Sequence, residues 1–161
     1  MTQSKQKGNA FERKMANHLS ERFADHLGVE KGFRRDISSG SFFGATNQKR
    51  LETHLTENAT FGDIMAPSSF RFSIECKHYK TAPSFASIVK QQYGQFDTWI
   101  EQARQDAVNA ELQMLVIIKF NSVPEFVIVE GDDPDAFAHY KGTSLITLEK
   151  WLERDIDYFF S

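Results

Sequence analysis

The sequence predicts a single α/β domain, a mixed β-sheet core flanked by helices, and three observations carry that prediction. From Phe70 to Lys77 apolar and polar residues alternate, the period-2 signature of a strand. Leu112 to Phe120 is a continuous apolar run, the pattern of a buried strand. Segments before, between and after these strands repeat apolar residues at helical spacing, giving the order helix, strands, helix, strands, helix.

The 161 residues suffice for one domain spanning 1–161 with a sizeable core, and 40% hydrophobic with 25% charged residues are ordinary globular values. No apolar run reaches membrane-spanning length, and Met1-Thr2-Gln3-Ser4-Lys5 lacks the apolar stretch of a signal peptide. The single cysteine, Cys76, has no internal disulfide partner. A cytoplasmic protein with no membrane partner is expected. The net charge of -3 is unevenly distributed: residues 1–80 hold 13 Lys/Arg against 9 Asp/Glu, and residues 81–161 hold 6 against 13. A basic half suits a polyanionic substrate, although solvated faces can show such asymmetry by chance.

In chain order, residues 1–7 are polar and are expected to form a disordered tail. Asn9 can cap a helix running to about Asp25, with Phe11, Met15, Leu19 and Phe23 at helical spacing. Glu12 lies at the border of the buried face. Asn9 and Glu12 also have capping-box spacing, in which Glu12 only satisfies a backbone N–H. Gly32-Phe33-Arg34-Arg35 predicts a short strand leading into Ser38-Ser39-Gly40-Ser41. Residues 42–61, polar and weakly periodic, predict a long mobile loop.

Pro67-Ser68-Ser69 is turn chemistry, so the run before it should pair back on the strand from Phe70 and bring Asp63 near Glu75. A helix is expected from about Ser84 to Asn109, with Phe85, Ile88, Val89, Phe96, Trp99, Ile100, Ala103 and Ala107 as its apolar stripe. Glu125 to Val129 should pair beside the buried strand, and Leu145-Ile146 predicts another short one. Leu148 to Phe160 predicts a terminal amphipathic helix. Its Tyr158-Phe159-Phe160 end offers aromatic surface for a dimer contact.

Strand alternation puts Glu75 and Lys77 on one face, with Asp63 close by. Two carboxylates and an ammonium so placed suit a divalent metal held by hard oxygen ligands, beside a lysine that orients or activates a water. The plain alternative is an exposed cross-strand ion pair. No phosphate loop, zinc cysteine set or nucleophile elbow occurs, and the five histidines lack metal-ligand spacing.

Gly62-Asp63 followed by Ile74-Glu75-Cys76-Lys77 resembles the motif of the PD-(D/E)xK nuclease superfamily, with Gly62 where many relatives have proline. Lys7-Gly8-Asn9-Ala10-Phe11-Glu12-Arg13 is similar to the helix-borne start of archaeal-type Holliday-junction resolvases and related phage nucleases. Arg34-Arg35 with Ser38-Ser39-Gly40-Ser41 resembles the arginine and Ser-Gly-Ser segment of that group. Trp99 and Gln102, then Leu115 to Lys119, resemble the helix and strand after the core in phage members.

The resemblance covers about residues 7–120. It implies a restriction-endonuclease-like fold and a metal-dependent endonuclease acting on DNA, branched or duplex, in a bacterial or phage-infected cell. Glu12, Asp63, Glu75 and Lys77 would be catalytic. Asp63, Glu75, the Cys76 backbone carbonyl and Glu12 (directly or through water) would hold Mg²⁺, with Mn²⁺ able to substitute. Arg13, Arg34, Arg35, Ser39, Ser41 and Gln102 would contact DNA, and symmetric cutting would ask for a homodimer. Another class of reading is a non-catalytic nucleic-acid-binding or assembly module on a nuclease-like fold. The complete set Asp63, Glu75, Lys77 weighs against it.

Overall fold

The computed structural model describes residues 2–37 and 62–161. The loop expected over 42–61 and the Ser38-Ser39-Gly40-Ser41 segment, with Ser39 and Ser41, lie outside the described residues.

Among the described residues, seven strands form one mixed sheet: β1 (Arg34–Arg35), β2 (Ile64–Met65), β3 (Phe72–Tyr79), β4 (Gln113–Phe120), β5 (Phe126–Glu130), β6 (Ala138–Tyr140) and β7 (Thr143–Thr147). Their spatial order is β1-β2-β3-β4-β5-β7-β6. β3 and β4 run parallel, with Glu75 opposite Val116 and Lys77 opposite Ile118. The other pairings between strands are antiparallel. Parallel neighbours need a crossover connection, supplied here by α2 (Phe85–Val89) and α3 (Gly94–Ala110). The remaining described helices are α1 (Gln3–Leu27), α4 (Leu148–Leu152) and α5 (Ile156–Phe159).

Alternation along β3 and β4 divides their apolar residues between two cores, one on each face of the sheet. Phe72, Ile74 and Cys76 join Leu115 and Ile117 against the α1 stripe of Phe11, Met15, Leu19 and Phe23. Val116, Ile118 and Phe120 face the α3 stripe of Phe96, Trp99, Ile100, Ala103 and Ala107. A sheet covered on both faces explains the continuous apolar run of β4. Glu75 and Lys77 project on the α3 side, at the border of that second core.

Several expectations are corrected. Residues 3–7 are helical and not a tail. α1 begins at Gln3 after an extended Thr2, because lysine and glutamine are good helix formers and need no buried face. Asn9 is therefore internal to α1, which removes its role as a cap. The helix expected over 84–109 is two helices. Gln91 takes a positive φ of 51°, its side-chain oxygen accepts from the Lys141 N–H, and the Tyr93 N–H donates to the Tyr140 hydroxyl. These tertiary bonds end the first helix, and Phe85 and Val89, placed in the stripe by periodicity, are exposed.

The C-terminal helix likewise divides. Arg22 donates to the main-chain oxygens of Leu152 and Arg154, capturing carbonyls that would continue it. Finally, Phe159 and Phe160 are core. They pack with Phe23 and Phe70, the Arg71 N–H donates to the Phe159 oxygen, and Phe160 bridges Phe70. The aromatic end offered as a dimer surface is thus the seal of the first core.

Candidate active site

Glycine decides how the chain enters β2. Gly62 has φ 88°, and a Cβ there would lie 2.4 Å from the Ile74 carbonyl oxygen. Proline, fixed near −65°, cannot adopt that conformation. This close approach lets the Asp63 N–H donate to the Ile74 oxygen at 2.7 Å. The Asp63 carboxylate then accepts at Oδ2 from the Cys76 N–H at 2.8 Å. Asp63 is held by the residues flanking Glu75, and the antiparallel return expected from the Pro67-Ser68-Ser69 turn brings the two acids together.

Glu75 is deeply placed, its side chain 3% exposed. Burial first, and then the charge of Asp63, push its carboxyl up to about 8, against the opposing pull of Lys77. Lys77 Nζ donates to Glu75 Oε2 at 3.0 Å. Burial alone would lower the lysine, but the charge and hydrogen bond of Glu75 outweigh it and hold its proton more firmly than usual. From α3, Gln102 donates through Nε2 to Glu75 Oε2 at 3.3 Å and accepts at Oε1 from Lys77 at 3.2 Å. The Cys76 side chain lies in the first core, and burial pushes its thiol well up. A protonated thiol is no metal ligand. Its N–H and carbonyl leave the strand on the side where Asp63 stands, since both main-chain groups of a strand residue point to one edge.

A second cluster lies on α1 and β1. Arg35 Nε donates to Glu12 Oε2, and its Nη2 donates to Asn9 Oδ1 at 2.8 Å. The spacing that reads as a capping box is instead two positions, one helical turn apart, closing on one guanidinium. Asn9 was missed as a partner because only the fold brings β1 against α1. Arg34 and Arg13 are exposed.

A divalent cation fits the donor set at Asp63 and Glu75. Each carboxylate is anchored through one oxygen, Oδ2 or Oε2, and the other oxygen takes no part in those bonds. Among the described residues, no group of three or more His, Cys, Asp or Glu side chains forms a ready metal cage. The hard oxygens on offer are two carboxylates and main-chain carbonyl, with water completing the shell in the manner Mg²⁺ favours.

A mixed sheet flanked by helices, carrying Asp63 beside Glu75-Cys76-Lys77 on adjoining strands, has the architecture of the PD-(D/E)xK nucleases. The family described as "Phage putative PDDEXK endonuclease" matches residues 3–156, and the chain belongs to it. No curated protein matches the chain. Among solved structures, that of Hjc, a Holliday junction resolvase from the hyperthermophilic archaeon Archaeoglobus fulgidus, is similar at 16% identity, covering 88% of this chain and 89% of that one with a TM-score of 0.41. No helix among the described residues is long and apolar enough to cross a membrane.

Proposed function

We propose that this chain is a divalent-metal-dependent DNA endonuclease that hydrolyses phosphodiester bonds, with branched DNA as its substrate. The observation that carries the reading is the convergence of Asp63, at the entry to β2, and the buried Glu75 of β3 beside a charged Lys77. Asp63 and Glu75 hold Mg²⁺, with Mn²⁺ as a substitute and the Cys76 carbonyl as a further oxygen. Bound there, the ion lowers the pKa of a water and offsets charge on the phosphate oxygens. Lys77, whose proton is held more firmly than in free lysine, orients the attacking water and stabilises the anionic phosphate; its charge disfavours a role as general base. Glu12 would support the cation directly or through water, while it accepts from Arg35 Nε. Arg34, Arg35 and Arg13 follow the DNA backbone. The preference for branched DNA rests on the resolvase-like Lys7 to Arg13 segment, and paired incisions require two copies related by a two-fold axis.

The test is incubation of a four-way junction, a Y-fork and linear duplex with wild-type protein, in Mg²⁺, Mn²⁺ or EDTA, with Glu75→Ala prepared in parallel. Cleavage is expected with either metal, strongest on the branched substrates, and absent in EDTA and in the variant. Equal cutting by Glu75→Ala, or by wild type in EDTA, would overturn the mechanism. Equal cutting of linear and branched DNA would remove the substrate assignment alone.

A further inference from the structure

Sequence reading places Gln102 on DNA, and the structure shows its amide bonded to both members of the Glu75–Lys77 pair. Its residue position is solvent-exposed on α3, beside the buried Trp99 and Ala103. Both ends of the amide are engaged: Oε1 accepts from the Lys77 ammonium at 3.2 Å and Nε2 donates to Glu75 Oε2 at 3.3 Å. With the Lys77–Glu75 bond at 3.0 Å these contacts close a triangle. The chemistry fixes the amide orientation, since a flip would set NH₂ against the Lys77 ammonium.

Among the natural side chains, few can serve both corners. Glutamate would repel Glu75, lysine or arginine would repel Lys77, and leucine would contact neither by hydrogen bond. Asparagine, one methylene shorter, would fall short from the same helix position. We propose that Gln102 is a positioning residue for the nuclease reaction. It braces the Lys77 ammonium from the α3 side and gathers its contacts on Glu75 Oε2, leaving Oε1 free of the triangle. This rests on the reading of Glu75 and Lys77 given above, and assigns to α3 a task beyond packing. A flexible four-carbon stem otherwise leaves an ammonium several rotamers, and loose placement of a reacting group by about 1 Å costs about a hundredfold in rate.

The test compares wild type with Gln102→Leu and Gln102→Asn, with Gln105→Leu as control; Gln105 is exposed on α3 and donates to Asn109. The first arm uses metal-free protein labelled with ¹⁵N-lysine. Wild type should give a slowly exchanging ammonium signal assigned to Lys77 by its loss in Lys77→Met. Both Gln102 variants should lose or broaden it while melting within a few degrees of wild type. The second arm is cleavage kinetics in Mg²⁺: kcat should fall about 10- to 100-fold in both Gln102 variants, with KM for DNA within about threefold. Gln105→Leu should match wild type in both arms.

An unchanged Lys77 signal in Gln102→Leu would overturn the proposal, as would a raised KM with kcat intact, the signature of a DNA contact. If wild type cuts no DNA with any divalent metal, the nuclease reading fails while the first arm still decides the role of Gln102.

Discussion

The main-chain N–H of Cys76 donates to Asp63 Oδ2 at 2.8 Å, and the Asp63 N–H donates back to Ile74 at 2.7 Å. The two acids of the site are therefore spaced by hydrogen bonds across the strand pair, with Glu75 between the two residues that grip Asp63. Asp63→Asn keeps an oxygen for the Cys76 N–H and removes only the charge. Asp63→Ala removes both, leaving a half-buried donor without its partner at a cost of about 1–3 kcal/mol. Thermal melts should place Asp63→Asn at or near wild type and Asp63→Ala clearly below it, while both lose cleavage and keep DNA binding. Retention of wild-type cutting by Asp63→Asn would exclude the carboxylate from the chemistry.

Gly62 is the hinge of that grip. A Cβ would meet the Ile74 oxygen at 2.4 Å and the Ile74 carbon at 2.9 Å. Both are backbone atoms of the central strand and cannot swing aside. Gly62→Ala should cost more than the roughly 1–3 kcal/mol of a strained φ alone, and should depress cleavage by moving Asp63. Gly28→Ala is the control: its φ is also positive, at 65°, but nothing lies within 4 Å. It should destabilise by φ strain only and leave activity in place. Equal stability losses at the two glycines would remove the steric argument.

The proton held by Glu75 gives a signed pH dependence. Burial, aided by Asp63, raises its carboxyl from 4.5 to about 8. Between these values the folded chain keeps a proton that the unfolded chain has lost, so stability of metal-free protein falls as pH rises through this window and levels off above it. A cation must displace the same proton, so apparent Mg²⁺ affinity should climb with pH by up to about tenfold per unit and flatten near pH 8. Denaturation midpoints in EDTA at about pH 5.5, 7 and 8.5, and Mg²⁺ calorimetry in two buffers of different ionisation enthalpy, measure the two effects. Glu75→Gln should abolish the fall attributed to this group. An identical slope in that variant would place its origin elsewhere.

Legibility in the sequence followed the physics of each element. The alternation of Phe72 to Lys77 stood out because each face of β3 has one destination, and the run of β4 because both faces are buried. The pairing of Asp63 with Glu75 was readable from the short turn between them. Features made by distant partners were not. Gln91 breaks a helix through Lys141, and Arg22 ends another through Leu152, neither of which leaves a mark on local periodicity. Asn9 and Glu12 carry a spacing that suits a cap and an arginine clamp equally, and only the placement of β1 separates them. Tyr158-Phe159-Phe160 looked like surface because an amphipathic terminal helix was assumed, whereas a break at Glu153 to Asp155 turns the end inward.

The paired arginines give the last prediction, because their surroundings differ. Arg34 is exposed, while Arg35 is tied to Glu12 and Asn9 with its side chain 18% exposed and that of Glu12 12% exposed. A solvent-facing guanidinium on the DNA path acts through counterion release, so Arg34→Ala should weaken binding similarly on every sequence. It should also lower the slope of log affinity against log salt by about 1. Arg35→Ala instead strands a half-buried carboxylate, and should lower stability first, by about 1–3 kcal/mol. Removing Glu12 as well should recover part of that loss, with a coupling of about 0.5–3 kcal/mol in the cycle of Glu12→Ala and Arg35→Ala. Titrations on one four-way junction at several salt concentrations, on a Glu75→Ala background that prevents cutting, would be run beside urea denaturation of the same proteins. A wild-type salt slope for Arg34→Ala takes that residue off the DNA surface. Strict additivity of Glu12→Ala and Arg35→Ala would show that the clamp contributes nothing to the fold.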